Sequence, residues 1–404
     1  MENDAIVIVG GARTAIGSLQ GQFKDLSAAA LGAEAMKAAI AHSQLSPSDI
    51  DDVIMGCVLM AGQGQAPARQ ALINAGIPNS VGATTINKMC GSGLQAVIMA
   101  HDRLLTNSFR IMLAGGMESM THSPYLLPKA RAGYRMGHGE VKDSMFLDGL
   151  EDAYETGTLM GVFAERTAEK YGFSRETQDE FALLSLSKAK KAIESGVFVS
   201  EIAPVTLTSK TGQVMIDTDQ LPLEAKPEKI PQLKPAFKKD GTVTAANSSG
   251  ISDGAAALVL MRESEAKKRG LTPKARIVSH ACHAQAPDWF TTAPVGAVHK
   301  VLQKAGWTVA DVDLFEINEA FSVVTLAAMH DLHIPQDKIN VHGGACALGH
   351  PIGASGARIL VTLMNALQKH KKQKGVATLC IGGGEAVAMA IELISPFEFQ
   401  GTKG

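Results

Sequence analysis

The stretch GGACALGHPIGASG, residues 343–356, leads directly into ARILVTLMNALQKH, residues 357–370. The first stretch is too rich in glycine to be an ordinary core segment, whereas the second reads as an apolar helix. The chain then continues as GVATLCIGGGEAVAMAIEL, residues 375–393, which supplies a buried strand, a glycine-rich turn and more apolar chain. The order of glycine-rich turn, helix and strand indicates an α/β fold.

The same order occurs earlier in the chain. NKMCGSG, residues 87–93, precedes the helical run LQAVIMAHDRLL, and RIMLAGGMES, residues 110–119, reads as a strand that stops at its paired glycines. Further upstream, Ala5–Val9 reads as a strand ending at Gly10-Gly11, and Ala28–His42 as a helix. This repetition predicts two related βαβ-containing halves.

Residues 121–250 are more irregular and more charged than the segments on either side. They contain a helical run, Arg175–Glu194, and the proline- and lysine-rich LPLEAKPEKIPQLKPAFKKDG, residues 221–241. We therefore predict an inserted loop domain at 121–250, between a first part of the N-terminal half at 1–120 and a C-terminal half at 251–404. The lysines of the insert either contact phosphates or form a solvated face.

Bulk composition favours a small-molecule enzyme. The chain has 404 residues, of which 46% are hydrophobic and 40 are glycine, and its net charge is −2. A net charge this small does not indicate a protein that binds nucleic acid or an anionic membrane through its overall charge. The acidic N-terminus lacks a secretory pattern and no run of about 18 apolar residues occurs, so we expect no membrane span. Five cysteines, an odd number, predict reduced thiols and a cytoplasmic location.

Cys90 stands where a glycine-rich turn enters a helix, in Asn87-Lys88-Met89-Cys90-Gly91. Backbone N–H groups and the helix dipole at such a position favour a thiolate and can stabilise a developing oxyanion. Taken alone, the segment is equally compatible with a buried packing cysteine.

Three further side chains are candidates for chemistry. His350, in the glycine-rich loop, can take a proton from a thiol, and Cys380, at the end of a buried strand, can act as a base beside a thioester. Asn318, after the strand LFEI, can hold a water that donates to an acyl oxygen, although a helix cap is an equal reading. For His350 and for Cys380, the alternative is a structural role.

Metal binding is not expected. His280, Cys282 and His283 lie close in sequence, as do His330 and His333, but neither group supplies four ligands at convincing spacing.

The segments NKMCGSGLQA, GGMES, INEAF, GGACALGHPIGASGAR and CIGGGEAVA occur in this order, and together the chain resembles the thiolase family. The resemblance covers nearly the whole chain. It implies a five-layered α/β/α/β/α core and a homotetramer, with THSPYLLPKARAGYRMGHGE resembling the family's tetramerisation loop.

The resemblance also implies a mechanism. Cys90 would take an acyl group from acyl-CoA with His350 activating it, and Cys380 would deprotonate a second acetyl-CoA, whose enolate attacks the acyl group. The N–H groups of Cys90 and Gly382 would form one oxyanion hole, and His350 with a water on Asn318 the other. No permanent cofactor is implied, because CoA thioesters are the substrates.

Four positions resemble the family's contacts with coenzyme A or the acyl group, namely Ser249, Leu159, Met160 and Phe321. Departures occur at Leu159, at Phe290-Thr291-Thr292-Ala293-Pro294, in the insert where an arginine is commoner, and at Glu385-Ala386. The departures at Leu159 and Phe290 leave acyl chain length open, lysines stand in for the arginine as phosphate contacts, and the sequence gives no reason for Glu385-Ala386. The leading expectation is reversible condensation of two acetyl-CoA to acetoacetyl-CoA. The alternatives are a degradative 3-oxoacyl-CoA thiolase and a non-catalytic acyl-CoA or lipid carrier, while a ketoacyl synthase is disfavoured by Cys380.

Overall fold

The computed structural model describes residues 4–209 and 212–394. Its strands, in chain order, are β1 (Ile6–Thr14), β2 (Gly17–Ser18), β3 (Asp52–Gly56), β4 (Gly82–Ile86), β5 (Ile111–Ser119), β6 (Tyr125–Leu126), β7 (Lys142–Asp143), β8 (Ile202–Ala203), β9 (Val205–Ser209), β10 (Gly212–Ile216), β11 (Ser252–Arg262), β12 (Ala275–Ala284), β13 (Leu314–Ile317), β14 (Lys374–Ile381) and β15 (Glu385–Leu393).

The α-helices are α1 (Ala28–His42), α2 (Pro67–Asn74), α3 (Ser92–Leu105), α4 (Met160–Tyr171), α5 (Arg175–Glu194), α6 (Gln220–Glu224), α7 (Glu263–Lys268), α8 (Ala293–Ala305), α9 (Ser322–Leu332), α10 (Ala345–Leu348) and α11 (Ser355–Lys369). Helices α1 and α5 have the limits predicted from the sequence. In the described part of the chain, no helix is both long enough and apolar enough to cross a membrane.

Two halves make up the main sheet, and they share one parallel pairing followed by two antiparallel pairings. In the first half β4, β3 and β5 are parallel neighbours, and β11 pairs antiparallel with both β5 and β1. In the second half β13 is parallel to β14, and β15 pairs antiparallel with both β14 and β12. The halves join where β1 and β12 pair briefly at Val7 and Ile8. The predicted duplication is therefore confirmed.

Alternating strand residues separate the layers. On β15, Val387 and Met389 face a central core that contains α3 and α11, whereas Ala386 and Ala388 face a separate core formed with α8 and α9. The first half behaves in the same way, because its outer face packs on α1 and α2. The two halves of the main sheet, which lie between three helical layers, give the predicted five-layered α/β/α/β/α core.

Two predicted strand ends were wrong. Strands β1 and β5 continue through Gly10-Gly11 and Gly115-Gly116 instead of stopping there. A Cβ on Gly10 would lie 2.4 Å from the carbonyl oxygen of Ala39, and one on Gly115 would lie 2.1 Å from that of Ala256. These glycines therefore permit close backbone approach inside a strand and do not mark turns.

The insert contains β6 to β10 and α4 to α6. Strand β11, which follows it, runs to Arg262 and lies between β1 and β5 of the first half. We therefore propose that the boundary between the halves follows Arg262, rather than residue 250.

Helices α3 and α11 lie against each other at their first turns. A Cβ on Gly93 would lie 2.7 Å from the backbone nitrogen of Ala357, and one on Gly356 would lie 2.4 Å from that of Leu94. Only glycine allows this approach. It brings together the two loops that enter these helices, which carry Cys90 and His350.

Candidate active site

Cys90 lies at the tip of a sharp turn, directly before Gly91, the N-cap of α3. Met89 has φ of 45°, in the left-handed region that non-glycine residues rarely adopt. The side chain of Asn87 accepts a hydrogen bond from the Met89 N–H at 2.9 Å, and the Ser92 hydroxyl accepts one from the Lys88 N–H at 2.8 Å. The turn therefore holds the half-buried Cys90 in one place.

The thiol of Cys90 is aimed at backbone donors. Burial raises its pKa to about 11, although hydrogen bonds from the N–H groups of Gly382 and Cys90 act to lower it, and the charge of Glu118 raises it further. Burial thus outweighs the turn, and the resting group is a thiol instead of the expected thiolate. The same two N–H groups remain available to an oxygen on which negative charge develops.

His350 is buried and held at both its backbone and its ring. Its N–H donates to the Gly250 carbonyl oxygen at 2.9 Å, and its Nδ1 lies 2.5 Å from the Ser355 hydroxyl. Burial, with a smaller effect from the positive charge of Arg358, lowers the pKa of His350 to about 3. The resting imidazole is therefore neutral and able to accept a proton.

Asn318 points its amide toward this histidine. Its Nδ2 lies 3.5 Å from Nε2 of His350, and its Oδ1 is buried with no partner among the residues that the structure describes. A buried acceptor left open in this way suits an ordered water. Next to it, Glu319 turns away and accepts from the Ser185 hydroxyl at 2.7 Å and the Asn340 amide at 2.8 Å, so it supports the loop.

Cys380 is fully buried near the end of β14. It packs in an apolar cluster with Phe290 and Phe321, against which Met160 also packs. Burial, and then the charge of Cys90, raise the pKa of the Cys380 thiol well above its usual value, so both thiols are protonated at rest. A Cβ on Gly91, the residue after Cys90, would lie 2.3 Å from Cδ1 of Ile381, the residue after Cys380, so the two segments are in contact.

The structure thus brings the predicted reactive groups together in one region. The turn of Cys90 packs on Ile381, which lies between Cys380 and Gly382, and the amide of Asn318 lies 3.5 Å from His350. Cys90 also packs against a small cluster that contains Ile352, two residues beyond His350. Their chemical roles remain predictions.

The predicted substrate contacts lie around these groups. Ser249 is half-buried and its N–H donates to the Ala320 carbonyl oxygen at 3.0 Å, beside the loop of Asn318. Phe321 packs edge-to-face on Phe237 with ring centroids 6.0 Å apart. Leu159 and Met160 are half-buried at the start of α4. A Cβ on Gly382 would lie 3.4 Å from the Met160 sulfur.

Two cavities flank the site. One of about 500 Å³ is lined by Met89, Met160 and Gly382, with acidic side chains at Asp148 and Glu151. The other, of about 370 Å³, runs over the insert; its lining includes Leu221, Lys226, Lys229, Gly250 and Cys346. Two of the insert's lysines therefore border a groove. A third, Lys238, forms an ion pair with Glu169.

Glu118 is a buried group that the sequence reasoning missed. Its carboxylate accepts hydrogen bonds from the N–H groups of Val58 at 3.0 Å, Leu59 at 3.1 Å and Gly353 at 2.8 Å. Burial raises its pKa to about 7 despite these bonds. It ties the loop of His350 to the loop after β3. An acidic residue at the end of the apolar strand β5 was the available signal.

The histidines considered for metal binding separate. His280 lies beside His101 and Asp102, and the potential ligand atoms of these three residues are all within 4.8 Å of one another. The sequence did not suggest this arrangement. These groups hydrogen-bond one another, at 3.0 Å from His280 Nε2 to Asp102. His283 instead contacts Gln285 at 3.0 Å. The absence of a metal stays a prediction.

Comparisons with known proteins agree along nearly the whole chain. Residues 6–264 match the family model described as the thiolase N-terminal domain, and residues 271–393 match the thiolase C-terminal domain. The chain is 50% identical to the acetyl-CoA acetyltransferase of Escherichia coli and 48% identical to that of Allochromatium vinosum, and each alignment covers 96% of this chain and 99% of the relative. The crystal structure of the Bacillus anthracis acetyl-CoA acetyltransferase superposes with a TM-score of 0.94 at 40% identity, covering 97% of this chain and 99% of that one.

Proposed function

Because this chain belongs to the thiolase family, we propose that it is an acetyl-CoA C-acetyltransferase, which reversibly condenses two acetyl-CoA to acetoacetyl-CoA and CoA. The observation that carries the proposal is that the turn of Cys90 packs on the strand end that carries Cys380 and Gly382, since a Cβ on Gly91 would lie 2.3 Å from Cδ1 of Ile381. A nucleophile, its oxyanion donors and a second proton-transfer group are the minimum that this reaction requires.

In the first half-reaction Cys90 attacks the thioester carbonyl of acetyl-CoA. The thiol proton passes to Nε2 of His350, whose low pKa keeps a lone pair there at neutral pH. The S–C bond to Cys90 forms as the bond to CoA sulfur breaks. The developing oxyanion is held by the N–H groups of Cys90 and Gly382. Cys380 gives its proton to the departing CoA thiolate and becomes a thiolate itself.

In the second half-reaction that thiolate removes a proton from the methyl group of a second acetyl-CoA. The enolate oxygen receives hydrogen bonds from the protonated Nε2 of His350 and from a water held by Oδ1 of Asn318. The enolate carbon attacks the acetyl group, Cys90 leaves, and it recovers its proton from His350. Every proton is thereby returned, so these steps require neither a metal nor a redox group.

The substrate's coenzyme A arm fits the groove over the insert. Gly250 lines that groove and adjoins Ser249, and Lys226 and Lys229 stand on its wall. Their ammonium groups can contact phosphates as point charges in place of the arginine that relatives commonly carry, without its bidentate geometry. The proposal places pantetheine along Ser249 and Phe321, with Leu159 and Met160 on the acyl side.

The acyl side favours a short chain. Phe290 and Phe321 close one wall around Cys380, and the cavity beyond Met160 and Gly382 carries carboxylates. Burying a long alkyl chain against these acidic side chains forfeits the gain from apolar contact. This argues against the degradative 3-oxoacyl-CoA thiolase, and the retained reactive groups argue against a non-catalytic carrier.

The protein is further proposed to act in the cytoplasm as a homotetramer. The segment at 121–140 that resembles a tetramerisation loop exposes large apolar side chains, namely Tyr125, Leu127 and Met136. Light scattering of the purified protein tests the assembly.

The test of function is thiolysis of acetoacetyl-CoA beside 3-oxoacyl-CoAs of six to sixteen carbons, with Cys90→Ala and Cys380→Ala as controls. Preference for the four-carbon substrate, lost in both variants, is the expected result. Preference for long chains would instead assign the protein as a degradative 3-oxoacyl-CoA thiolase. No turnover, with no acetyl adduct on Cys90 after mixing with acetyl-CoA, would favour the carrier.

A further inference from the structure

Lys88 and Glu385 form an ion pair between the two loops that meet at Cys90. Nζ of Lys88 lies 2.9 Å and 2.8 Å from the two carboxylate oxygens of Glu385, so one ammonium contacts both. The side chains are 24% and 37% exposed. The pair thus sits at the edge of the site, partly shielded from water.

Each partner is attached to firmly held backbone. Beyond its N–H bond to Ser92, Lys88 accepts a hydrogen bond at its carbonyl oxygen from the Gly91 N–H at 3.0 Å. Glu385 begins β15 and pairs with Ile381 of β14. Just before it, Gly384 has φ of 90°, and a Cβ there would lie 2.3 Å from the Gln285 carbonyl oxygen. The ion pair therefore connects two tight turns.

Acylation needs the N–H of Gly382 to face Cys90, and these two groups lie on the two turns that the ion pair connects. Cys90 follows Lys88 by two residues, and Gly382, whose N–H faces the Cys90 thiol, precedes Glu385 by three. A Cβ on Gly91 would lie 2.3 Å from Cδ1 of Ile381, so the two turns are packed together. A donor in an oxyanion hole works only within a few tenths of an ångström of its proper place. Any drift of one turn from the other moves that N–H away from the reacting atoms.

We propose that Lys88 and Glu385 are positioning residues, whose ion pair holds the turn of Cys90 against the turn of Gly382 and keeps the Gly382 N–H aimed at the nucleophile. The inference rests on the proposed function in taking Cys90 as that nucleophile. It also explains Glu385, the departure from the family pattern that the sequence left without a reason.

The effect is geometric, not a matter of net charge. Because the ammonium and the carboxylate neutralise each other, the intact pair presents little field to the thiol. Exchanging the two charges should therefore preserve the connection, whereas removing either one should not. The groups that titrate around Cys90, namely Glu118, His350 and Cys380, stay in place in all these variants.

The experiment measures alkylation of Cys90 by iodoacetamide against pH, with the label located by mass spectrometry, and kcat and KM for acetoacetyl-CoA thiolysis. The variants are Lys88→Gln, Glu385→Gln, Lys88→Arg and the exchange Lys88→Glu with Glu385→Lys. Lys37→Gln is the control, because it breaks a remote surface pair with Glu34. Alkylation needs no CoA substrate, so it tests the positioning even if the chain prefers another thioester.

We expect either glutamine variant to shift the alkylation profile to higher pH and to lower kcat roughly fivefold with little change in KM. Lys88→Arg and the exchange should recover most of both values, and Lys37→Gln should match the wild type. Unchanged profiles and kcat in the glutamine variants would overturn the proposal. So would an exchange variant no better than the single variants, because the two side chains would then act separately.

Discussion

Nδ1 of His350 lies 2.5 Å from the hydroxyl oxygen of Ser355, and this hydroxyl also donates to the Pro351 carbonyl oxygen at 3.0 Å. Its single proton can serve only one acceptor. When the hydroxyl donates to the Pro351 carbonyl oxygen, the hydroxyl oxygen accepts a hydrogen bond from Nδ1–H of His350. Nε2 then carries the lone pair, on the side of Asn318. The serine therefore selects the tautomer in which His350 can take the proton of Cys90.

Ser355→Ala should slow acyl transfer while leaving the fold intact. It removes the partner of Nδ1, so the ring loses both its orientation and its preferred tautomer. We expect kcat for thiolysis to fall roughly tenfold, the rate equivalent of one good hydrogen bond, with a smaller change in KM. Ser48→Ala, at an exposed serine, is the control. Equal kcat values for Ser355→Ala and the wild type would mean that the histidine needs no such partner.

Cys380→Ser should separate the two half-reactions. A serine hydroxyl is too weak an acid and its alkoxide too costly to serve as the base, so condensation of acetyl-CoA should fall by at least roughly 100-fold. Acetylation of Cys90 by acetyl-CoA should still be detectable by mass spectrometry of the intact protein, at a reduced rate. Cys57→Ser, at another buried cysteine, controls for the loss of a thiol. Condensation surviving in Cys380→Ser would assign the base elsewhere.

The repeated order of glycine-rich turn, helix and strand was enough to predict an α/β fold in two related halves and both helices that carry the site, whereas the five layers followed from the resemblance to the thiolase family. The pattern works because a glycine in a helix's first turn, as at Gly93 and Gly356, is required where two helices cross closely. The strand ends failed for the related reason that Gly115 serves a close approach inside β5. A single sequence does not distinguish these two uses of glycine.

The site was predictable as a set of residues but not in its electrostatics. Motif order supplied Cys90, His350 and Cys380, yet the thiolate expected at Cys90 gives way to burial, which depends on what packs over the turn. Glu118 and the contact between Lys88 and Glu385 depend on contacts between distant segments. A local pattern can single out a residue such as Glu118, but it does not reveal which distant residues it contacts.

The neutral state of His350 should appear in the stability of the protein. Its pKa is lowered from 6.5 to about 3 in the folded chain, so below pH 6.5 the unfolded chain binds a proton that the folded chain refuses. Above pH 6.5 the free energy of unfolding carries no penalty from His350, and it falls as the pH drops from 6.5 toward 3. Urea unfolding should therefore show that the free energy of unfolding of the wild type decreases between pH 8 and pH 5. In His350→Asn this decrease should be smaller by about 2 kcal/mol.

His330→Asn is the control for that comparison, because His330 is an exposed histidine. It should keep the wild-type loss between pH 8 and pH 5. If His350→Asn also keeps that loss, the buried imidazole takes up its proton near its ordinary pKa, and the resting state drawn above would be wrong.

Met160→Ala should extend the range of acyl chains. The Met160 sulfur lies against Gly382 and borders the cavity of about 500 Å³, so removing it joins that cavity to the space beside Cys90. We expect the ratio of kcat/KM for 3-oxohexanoyl-CoA to that for acetoacetyl-CoA to rise roughly tenfold, since one or two methylene groups gain room at that scale. Met160→Leu conserves the volume and should leave the ratio near the wild-type value. An unchanged ratio in Met160→Ala would place the limit on chain length at Phe290, on the opposite wall around Cys380.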